Sequence, residues 1–229
     1  MTETKYGLKP YFKNNDVFEI GVDEAGRGPL FGRVYASAVV LPKDTSFNHE
    51  LMRDSKKFCS KTRIQEAADY IKQHAVAWSV QYADEKTIDT INIRQSVLQC
   101  MHLAIKDVIQ QINTYDVQLL IDGNDFKPYT YIQDDMLEHC PYVTIKSGDN
   151  TYTSIAAASI LAKVSRDAYI LDLCEKNPEL EERYGIASNK GYGAQRHRDG
   201  IQTHGITPWH RKTYGMCKTY GMAETYNEY

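Results

Sequence analysis

Short apolar runs that stop at glycine, proline or charged residues recur along the chain. Runs of this length, bounded by turn-forming residues, are typical of β-strands. Five such runs predict strands over residues 17–23, 33–41, 76–82, 117–121 and 142–145. The fourth run is almost wholly apolar, which is typical of a strand buried on both faces within a parallel sheet.

Longer segments between these runs carry apolar residues at helical spacing. A helix is predicted over residues 61–73, where Ser60 is a good N-cap. A second helical segment covers residues 84–112, with one apolar face and a break near Asn92. A third helix, from about residue 152 to 176, is lined by small residues that allow close packing on a sheet.

The order of these elements predicts the fold class. A strand, a long helix and an apolar strand in succession indicate a crossover between parallel strands. We therefore predict an α/β fold, in which a mixed sheet of about five strands carries flanking helices and is followed by a helical C-terminal region.

Composition narrows the class of protein. The chain has 229 residues, which suits one domain of generous size. No apolar run reaches the roughly 18 residues of a membrane span, and the first residues lack the layout of a secretory signal. Five scattered cysteines without a C-x-x-C pair favour free thiols over a disulfide framework or a zinc site. We predict a cytoplasmic, soluble monomer with no membrane contact.

The formal net charge of −3 hides a local excess of positive charge near the C-terminus. Residues 186–220 contain only one acid but six basic residues: Lys190, Arg196, Arg198, Arg211, Lys212 and Lys218. A local basic surface is what phosphate binding requires, although a solvated basic face explains the charge equally well. His197, His204 and His210 are further candidates for phosphate contact or proton transfer.

Carboxylates follow several of the predicted strands. If the first and fourth strands are parallel neighbours, Asp23 and Asp122 lie side by side, because ligands gather beyond the carboxyl ends of such strands. The fifth strand brings Asp149 to the start of the next helix. Asp167 lies roughly 27 Å farther along that helix, at 1.5 Å per residue, so we interpret it as a structural or surface acid.

Acids crowded in this way predict a metal site. With Glu24 they form a set of four carboxylates that repel one another and raise each other's pKa values. Divalent cations relieve that repulsion, and hard oxygen ligands favour magnesium or manganese. Two such ions serve in-line phosphoryl displacement, so the set predicts two-metal hydrolysis of a phosphodiester.

Six motifs, in order, resemble those of the type 2 ribonucleases H, the ribonuclease HII family. They are D-E-A-G-R-G-P at 23–29, D-S-K-K at 54–57, I-D-G-N at 121–124, S-I-A-A-A-S-I-L-A-K-V-S-R-D at 154–167, G-Y-G at 191–193 and H-R-K-T-Y at 210–214. The ordered set covers residues 17 to 215 and is far more specific than any single motif.

The resemblance implies an RNase H-like fold and an endoribonuclease. Such enzymes hydrolyse the RNA strand of RNA/DNA hybrids and incise on the 5′ side of single ribonucleotides embedded in duplex DNA, leaving 3′-hydroxyl and 5′-phosphate ends. The expected organisation is a lead-in at 1–16, a catalytic domain at 17–185, a helical substrate-binding region of the same domain at 186–215 and a disordered tail at 216–229.

The resemblance also assigns roles by position. Asp23, Glu24, Asp122 and Asp149 match the residues that bind Mg²⁺ or Mn²⁺. A second group matches the substrate contacts: Gly26, Arg27 and Gly28, which read the ribose 2′-hydroxyl through the backbone, Tyr192, which stacks at the RNA–DNA junction, and Lys56, a phosphate contact. The 2′-hydroxyl is the group that distinguishes RNA from DNA.

Two departures from the family pattern bear on these roles. Ala194 stands where the family usually has Thr, which predicts a lost substrate contact. The approach to Asp149 reads K-S-G-D-N, one residue longer than usual, so this acid has the weakest match. No sliding-clamp motif is visible near the C-terminus.

Three alternatives remain at this point. The sister enzyme ribonuclease HIII typically has Lys in place of Arg27 and an added N-terminal domain. A junction resolvase or integrase-type nuclease shares the fold but cleaves DNA. A hybrid-binding module without catalysis would still bind the substrate without turning it over.

Overall fold

The computed structural model describes residues 3–223 of the chain. Seven strands are present: β1 (Phe18–Ala25), β2 (Val34–Val40), β3 (Ala77–Ala83), β4 (Val117–Asp122), β5 (Thr130–Gln133), β6 (Met136–His139) and β7 (Tyr142–Ile145). The α-helices are α1 (Lys61–His74), α2 (Glu85–Ile112), α3 (Thr153–Lys176), α4 (Glu179–Tyr184), α5 (Ile186–Asn189) and α6 (Gln195–His204). Within residues 3–223 no helix combines the length and hydropathy needed to cross a bilayer.

Five strands form one mixed sheet in the order β3-β2-β1-β4-β7. The strand β1 runs antiparallel to β2 and parallel to β4, and β7 runs parallel to β4. The predicted α/β class, the five-stranded mixed sheet and the parallel pairing of the first and fourth apolar runs are confirmed. The helix break also lies at Asn92, where φ is 67°.

The chain divides into two compact units. The first holds the described residues of Met1–Ala25, Tyr35–Gln81 and Leu98–Val164, and the second those of Gly26–Val34, Tyr82–Val97 and Ser165–Tyr229.

In the first unit, α3 packs directly on β1. A side chain at Gly21 would place its Cβ 2.2 Å from the carbonyl carbon of Ser154, so only glycine permits this approach. The alanines that follow, Ala156–Ala158, are fully buried. The small residues of the helix therefore set the distance between the helix and the sheet.

The lead-in is held by a buried acid in β1. Glu19 is 6% exposed and accepts hydrogen bonds from the backbone N–H groups of Phe12 and Lys13, each at 2.7 Å. Lys43 forms an ion pair with the same carboxylate at 3.1 Å. The single charged interruption of the first apolar run is thus a structural anchor.

The second unit has its own core. Ten buried residues form it: Phe31, Ile170, Leu173, Cys174, Leu180, Tyr184, Ile186, Ile201, Ile206 and Cys217. All five cysteines of the chain are free, as predicted, and only Cys59 is exposed.

Two features differ from the sequence-based expectation. The hairpin β5–β6 was not predicted; its turn residues, Asp134 and Asp135, both have positive φ, as a two-residue hairpin turn requires. The prediction of a disordered tail is wrong for residues 216–223, because Cys217 and Ala223 are buried and Ile206 pairs with Met222. Residues 224–229 lie outside the described residues.

Candidate active site

Asp23 and Asp122 lie at equivalent places on two neighbouring parallel strands. The register pairs Val22 of β1 with Ile121 of β4, so the two aspartates are the next residues of each strand. Asp23 is 5% exposed, and Asp122 Oδ1 accepts a hydrogen bond of 2.6 Å from the N–H of Gly148.

Asp149 lies in a short 3₁₀ turn, Gly148–Asn150, directly before α3. A Cβ on Gly148 would lie 2.6 Å from Cδ1 of Ile155 and 3.2 Å from Oδ1 of Asp122, so a larger residue there would displace both side chains. Asp149 is itself 6% exposed. The longer approach to this acid therefore still brings it to Asp122, as the sequence predicted.

The electrostatics show how closely these acids are crowded. Burial, then the charges of Glu24 and Asp122, raise the pKa of Asp23 well above its ordinary value, against hydrogen bonds from Ser159 and the Glu24 N–H. Burial and the charge of Asp122 likewise raise the pKa of Asp149. We call Asp23, Glu24, Asp122 and Asp149 the carboxylate cluster.

A fifth acid, Asp54, was missed as a site residue. It is 6% exposed, and its charge is a further cause of the raised pKa of Asp149. One oxygen caps the turn that follows by accepting from the Lys56 N–H at 2.8 Å, and the other accepts from Asn150 Nδ2 at 3.2 Å. Asp54 is the first residue of the D-S-K-K motif, in which only Lys56 was predicted to contact the substrate.

Polar side chains form hydrogen bonds with the carboxylate cluster and with one another. The Ser159 hydroxyl, which bonds to Asp23, also lies 3.0 Å from the Ser55 hydroxyl. Asn150 Nδ2 donates to Asp149 at 3.1 Å, and Lys57 donates to the side-chain oxygen of Asn150. Lys56 is exposed, and its charge lowers the pKa of Asp149.

The second unit contains the glycine loop, Gly26–Gly32. Gly26 has φ of +93°, and a Cβ there would lie 2.2 Å from Nε of Arg166, so this position excludes every side chain. The side chain of Arg27 is exposed. Gly28 is open on one side, since a Cβ added there would meet only the Tyr192 ring, at 3.8 Å. The loop thus offers backbone rather than side chains near Gly28.

Tyr192 is 52% exposed, so part of its ring is available for stacking, although the Arg166 guanidinium lies over the ring at 5.9 Å from the centroid. The turn that carries it is fixed by a hydrogen bond of 2.9 Å from the Leu30 N–H to the Gly191 carbonyl. A Cβ at Gly191 would lie 2.8 Å from the Phe31 carbonyl oxygen. Glycine therefore lets the tyrosine turn approach the glycine loop.

Three expectations about the basic C-terminal segment and α3 can now be compared with the structure. Arg211 is fully buried and contributes nothing to a basic surface. His197 and His210 are also fully buried, with both ring nitrogens engaged in hydrogen bonds within the protein, so neither can contact a phosphate. Asp167 is half-buried in α3 and belongs to the second unit, whereas the carboxylate cluster belongs to the first.

Comparison with known proteins identifies the family. The family model described as Ribonuclease HII matches residues 20–217. A ribonuclease HII of Parabacteroides distasonis is 44% identical over 209 residues, which cover 91% of this chain and 95% of the relative. The chain belongs to the ribonuclease HII family.

Solved structures with the same fold agree with this assignment. The crystal structure of ribonuclease H2 from Pyrococcus horikoshii matches with a TM-score of 0.68 at 20% identity, over 88% of this chain and 95% of that one. A Bst-RNase HIII in complex with Mn²⁺ matches with a TM-score of 0.54 at 18% identity, over 90% of this chain and 66% of that one. The RNase H-like fold is confirmed.

Membership fixes the general activity. As a type 2 ribonuclease H, the chain is a nuclease that depends on divalent metal and hydrolyses RNA in RNA/DNA hybrids. The matching family model and the curated relatives are ribonuclease HII, which decides against the ribonuclease HIII alternative.

Proposed function

We propose that this enzyme incises duplex DNA on the 5′ side of single embedded ribonucleotides, in addition to cleaving hybrids, and that it does so with two divalent ions held by the carboxylate cluster. The observation that carries the metal assignment is the repulsion within the cluster. Burial and neighbouring carboxylates raise the pKa values of both Asp23 and Asp149, and bound cations would relieve this repulsion.

The donors present fit magnesium or manganese. All four carboxylates supply hard oxygen ligands, and the Mn²⁺ complex of the related ribonuclease HIII supports manganese as an alternative to magnesium. Within residues 3–223, no group of three or more His, Cys, Asp or Glu side chains is already arranged to hold a metal ion, the carboxylate cluster included. Magnesium is typically bound by one or two carboxylates together with substrate phosphates, so an open carboxylate site suits it.

The side chains of the protein prepare this chemistry. When bound, the ions activate water and stabilise the leaving oxygen of the phosphodiester. Ser159 orients Asp23 by hydrogen bonding, and the Gly148 N–H fixes Asp122 Oδ1. Asp54 and Asn150 hold the turn that carries Asp149.

Selection of the ribonucleotide is assigned to the second unit. Gly26, Arg27 and Gly28 contact the 2′-hydroxyl through their backbone, and the exposed ring of Tyr192 stacks on the sugar or base at the junction. In the first unit, Lys56 contacts a substrate phosphate. The exposure of Tyr192 and Lys56 supports these roles, since each side chain is free of the packing that buries its neighbours.

A single-turnover cleavage assay tests the proposal. A labelled DNA duplex with one ribonucleotide is incubated with Mg²⁺ beside the same all-DNA duplex and a long RNA/DNA hybrid. We expect incision 5′ of the ribonucleotide, no cut in the all-DNA control and no activity with Asp23→Asn. Cleavage of the hybrid alone would refute incision at single ribonucleotides, whereas metal-independent cleavage would refute the assignment of the cluster.

A further inference from the structure

The segment Trp209–Arg211 lies against the glycine loop as a short strand-like partner. The Gly32 N–H donates to the Trp209 carbonyl at 2.9 Å, and the Arg211 N–H donates to the Leu30 carbonyl at 2.8 Å. Two adjacent side chains of this segment, His210 and Arg211, are fully buried. None of the substrate or metal contacts proposed above involves either side chain, so their burial has another purpose.

Arg211 donates most of its hydrogen bonds to carbonyl groups of the glycine loop. Its guanidinium donates to four backbone carbonyls within seven residues: Gly32 at 2.8 Å, Arg27 at 3.1 Å, Pro29 at 2.9 Å and Gly26 at 2.6 Å. A buried guanidinium is costly unless its donors are satisfied, and these four carbonyls satisfy four of its five. Its pKa, lowered by burial to about 10, leaves it charged at neutral pH.

The arrangement determines where the N–H groups of the loop point. Across a trans peptide, the carbonyl and the following N–H face opposite ways. Since the carbonyls of Gly26 and Arg27 face Arg211, the N–H groups of Arg27 and Gly28 face away from it. The same geometry holds for the next bound carbonyl, Pro29, because the Leu30 N–H reaches the Gly191 carbonyl on the other side.

His210 acts on Tyr192 through a second histidine. The Thr207 N–H donates to His210 Nδ1 at 2.9 Å, which places the proton of His210 on Nε2. That Nε2 lies 3.0 Å from His197 Nε2, which must accept, so His197 carries its proton on Nδ1. The Nδ1 of His197 then donates to the Tyr192 carbonyl at 2.9 Å.

We propose that His210 and Arg211 are positioning residues for substrate selection: Arg211 turns the N–H groups of Arg27 and Gly28 outward, and His210 fixes Tyr192 through His197. The inference rests on the proposed function, because it concerns how the ribonucleotide is read. It assigns the H-R pair a role in specificity rather than in phosphate binding or metal chemistry.

The first experiment uses Arg211→Lys, which keeps the charge but loses the fork of donors. We expect kcat/KM on the single-ribonucleotide duplex to fall roughly 10- to 100-fold, the range for losing hydrogen bonds to a charged group. Arg63→Lys, a charge-preserving change on the exposed surface of α1, serves as the control and keeps full activity. Equal activity of the two variants, both folded by circular dichroism, would overturn the role of Arg211.

Chemical rescue separates positioning from stability. Millimolar guanidinium added to Arg211→Ala should restore incision, because the free cation can occupy the vacated site. Guanidinium otherwise weakens folded proteins, so rescue cannot arise from general stabilisation. If guanidinium leaves the activity unchanged or lowers it while the variant remains folded, the positioning role is refuted.

A double-mutant cycle tests whether His210 acts through Tyr192. We expect His210→Phe to lower kcat/KM about 5- to 10-fold in the wild-type background but to have no effect when Tyr192 is already Ala, since contacting residues are non-additive. Additive losses would show that His210 does not act through Tyr192. If wild-type enzyme cuts hybrids but not single ribonucleotides, the proposed function fails, and the same cycle on hybrids still decides the positioning role.

Discussion

Two buried ionic regions of this enzyme, the carboxylate cluster and Arg211, are built in opposite ways. In the first unit, Asp23 and Asp149 are buried beside other acids, and their pKa values are raised because the repulsion is not cancelled. In the second unit, Arg211 is equally buried but is surrounded by four backbone carbonyls that accept its hydrogen bonds. In the first region the like charges repel one another, whereas in the second the charge is satisfied within the protein.

The difference separates a reactive site from the frame of a recognition site. Buried like charges cost free energy, and a protein retains them where a ligand of opposite charge recovers that cost. A buried cation whose donors bond to groups within the protein fixes the chain rather than binding a ligand. The stability of the fold should therefore increase when a charge is removed from the first region and decrease when the charge is removed from the second.

The largest effect is expected for Asp23→Asn. Activity should fall on the order of 10³-fold, the equivalent of several kcal/mol of metal-dependent transition-state stabilisation. In EDTA, however, the variant should melt at a higher temperature than wild type, since it removes a buried, repelled charge. Thermal melts with and without Mg²⁺ check this. The surface control Asp69→Asn should change neither quantity, and a lower melting temperature for Asp23→Asn in EDTA would contradict the comparison.

Removal of the buried cation should have the opposite effect on stability. Arg211→Met removes the guanidinium donors from the carbonyls of Gly26, Pro29 and Gly32, whereas that of Arg27 keeps the Tyr214 hydroxyl. We expect a loss of about 3–5 kcal/mol in the free energy of unfolding, as for breaking a buried charged network. Urea unfolding measures it. Arg63→Met, on the exposed face of α1, is the control and should cost less than about 0.5 kcal/mol. Similar losses for both variants would show that the carbonyl contacts of Arg211 contribute little.

The acids could be predicted from the sequence because strand order alone determines their position. Two apolar runs that end in Asp23 and Asp122 meet at one edge when the strands are parallel, and this pairing is observed. Asp149 followed from the strand that precedes it. Asp54 did not follow, since it comes from a loop whose path depends on long-range packing rather than on periodicity.

The buried cation and the histidine pair could not be predicted for a related reason. In sequence, Arg211 and His210 belong to a basic segment, and charge patterning describes such residues as solvated or bound to phosphate. Their burial depends on carbonyls far away in sequence, such as that of Gly32, which is 179 residues from Arg211. The hairpin β5–β6 was missed because its turn is Asp-Asp rather than the more easily recognised Asn-Gly or Asp-Gly.

The lowered pKa values of His197 and His210 make the stability of the second unit depend on pH. Burial and the charge of His197 hold the pKa of His210 well below its ordinary value of 6.5, and burial lowers that of His197. A lowered folded-state pKa means that the stability contributed by these residues is present above pH 6.5 and is lost as the pH falls through the lowered values. The groups packed on His210 are rings and hydroxyls: Phe31, Tyr184, Thr207 and His197.

The raised pKa values of the acids give the stability of the fold the opposite dependence on pH. The stability linked to Asp23 is present below its ordinary pKa of 3.8 and is lost as the pH rises through the raised value. Urea unfolding in EDTA between about pH 5 and 7, where an unperturbed histidine titrates, separates the two contributions. As the pH falls, His210→Gln should lose less of its free energy of unfolding than wild type, because glutamine does not titrate. An unchanged slope in that variant would exclude the histidine pair as its source.

The smallest effect concerns Ala194, which the structure places at the N-cap of α6 with extended backbone and no side-chain capping bond. Alanine is a poor N-cap, whereas Thr, the usual residue of the family here, accepts a hydrogen bond from the first turn. Ala194→Thr should therefore raise the free energy of unfolding by about 1 kcal/mol, measured by urea unfolding. Ala194→Val, with the same shape but no hydroxyl, should give no gain. If Thr improves kcat/KM without a gain in stability, the residue acts on the substrate rather than on the helix.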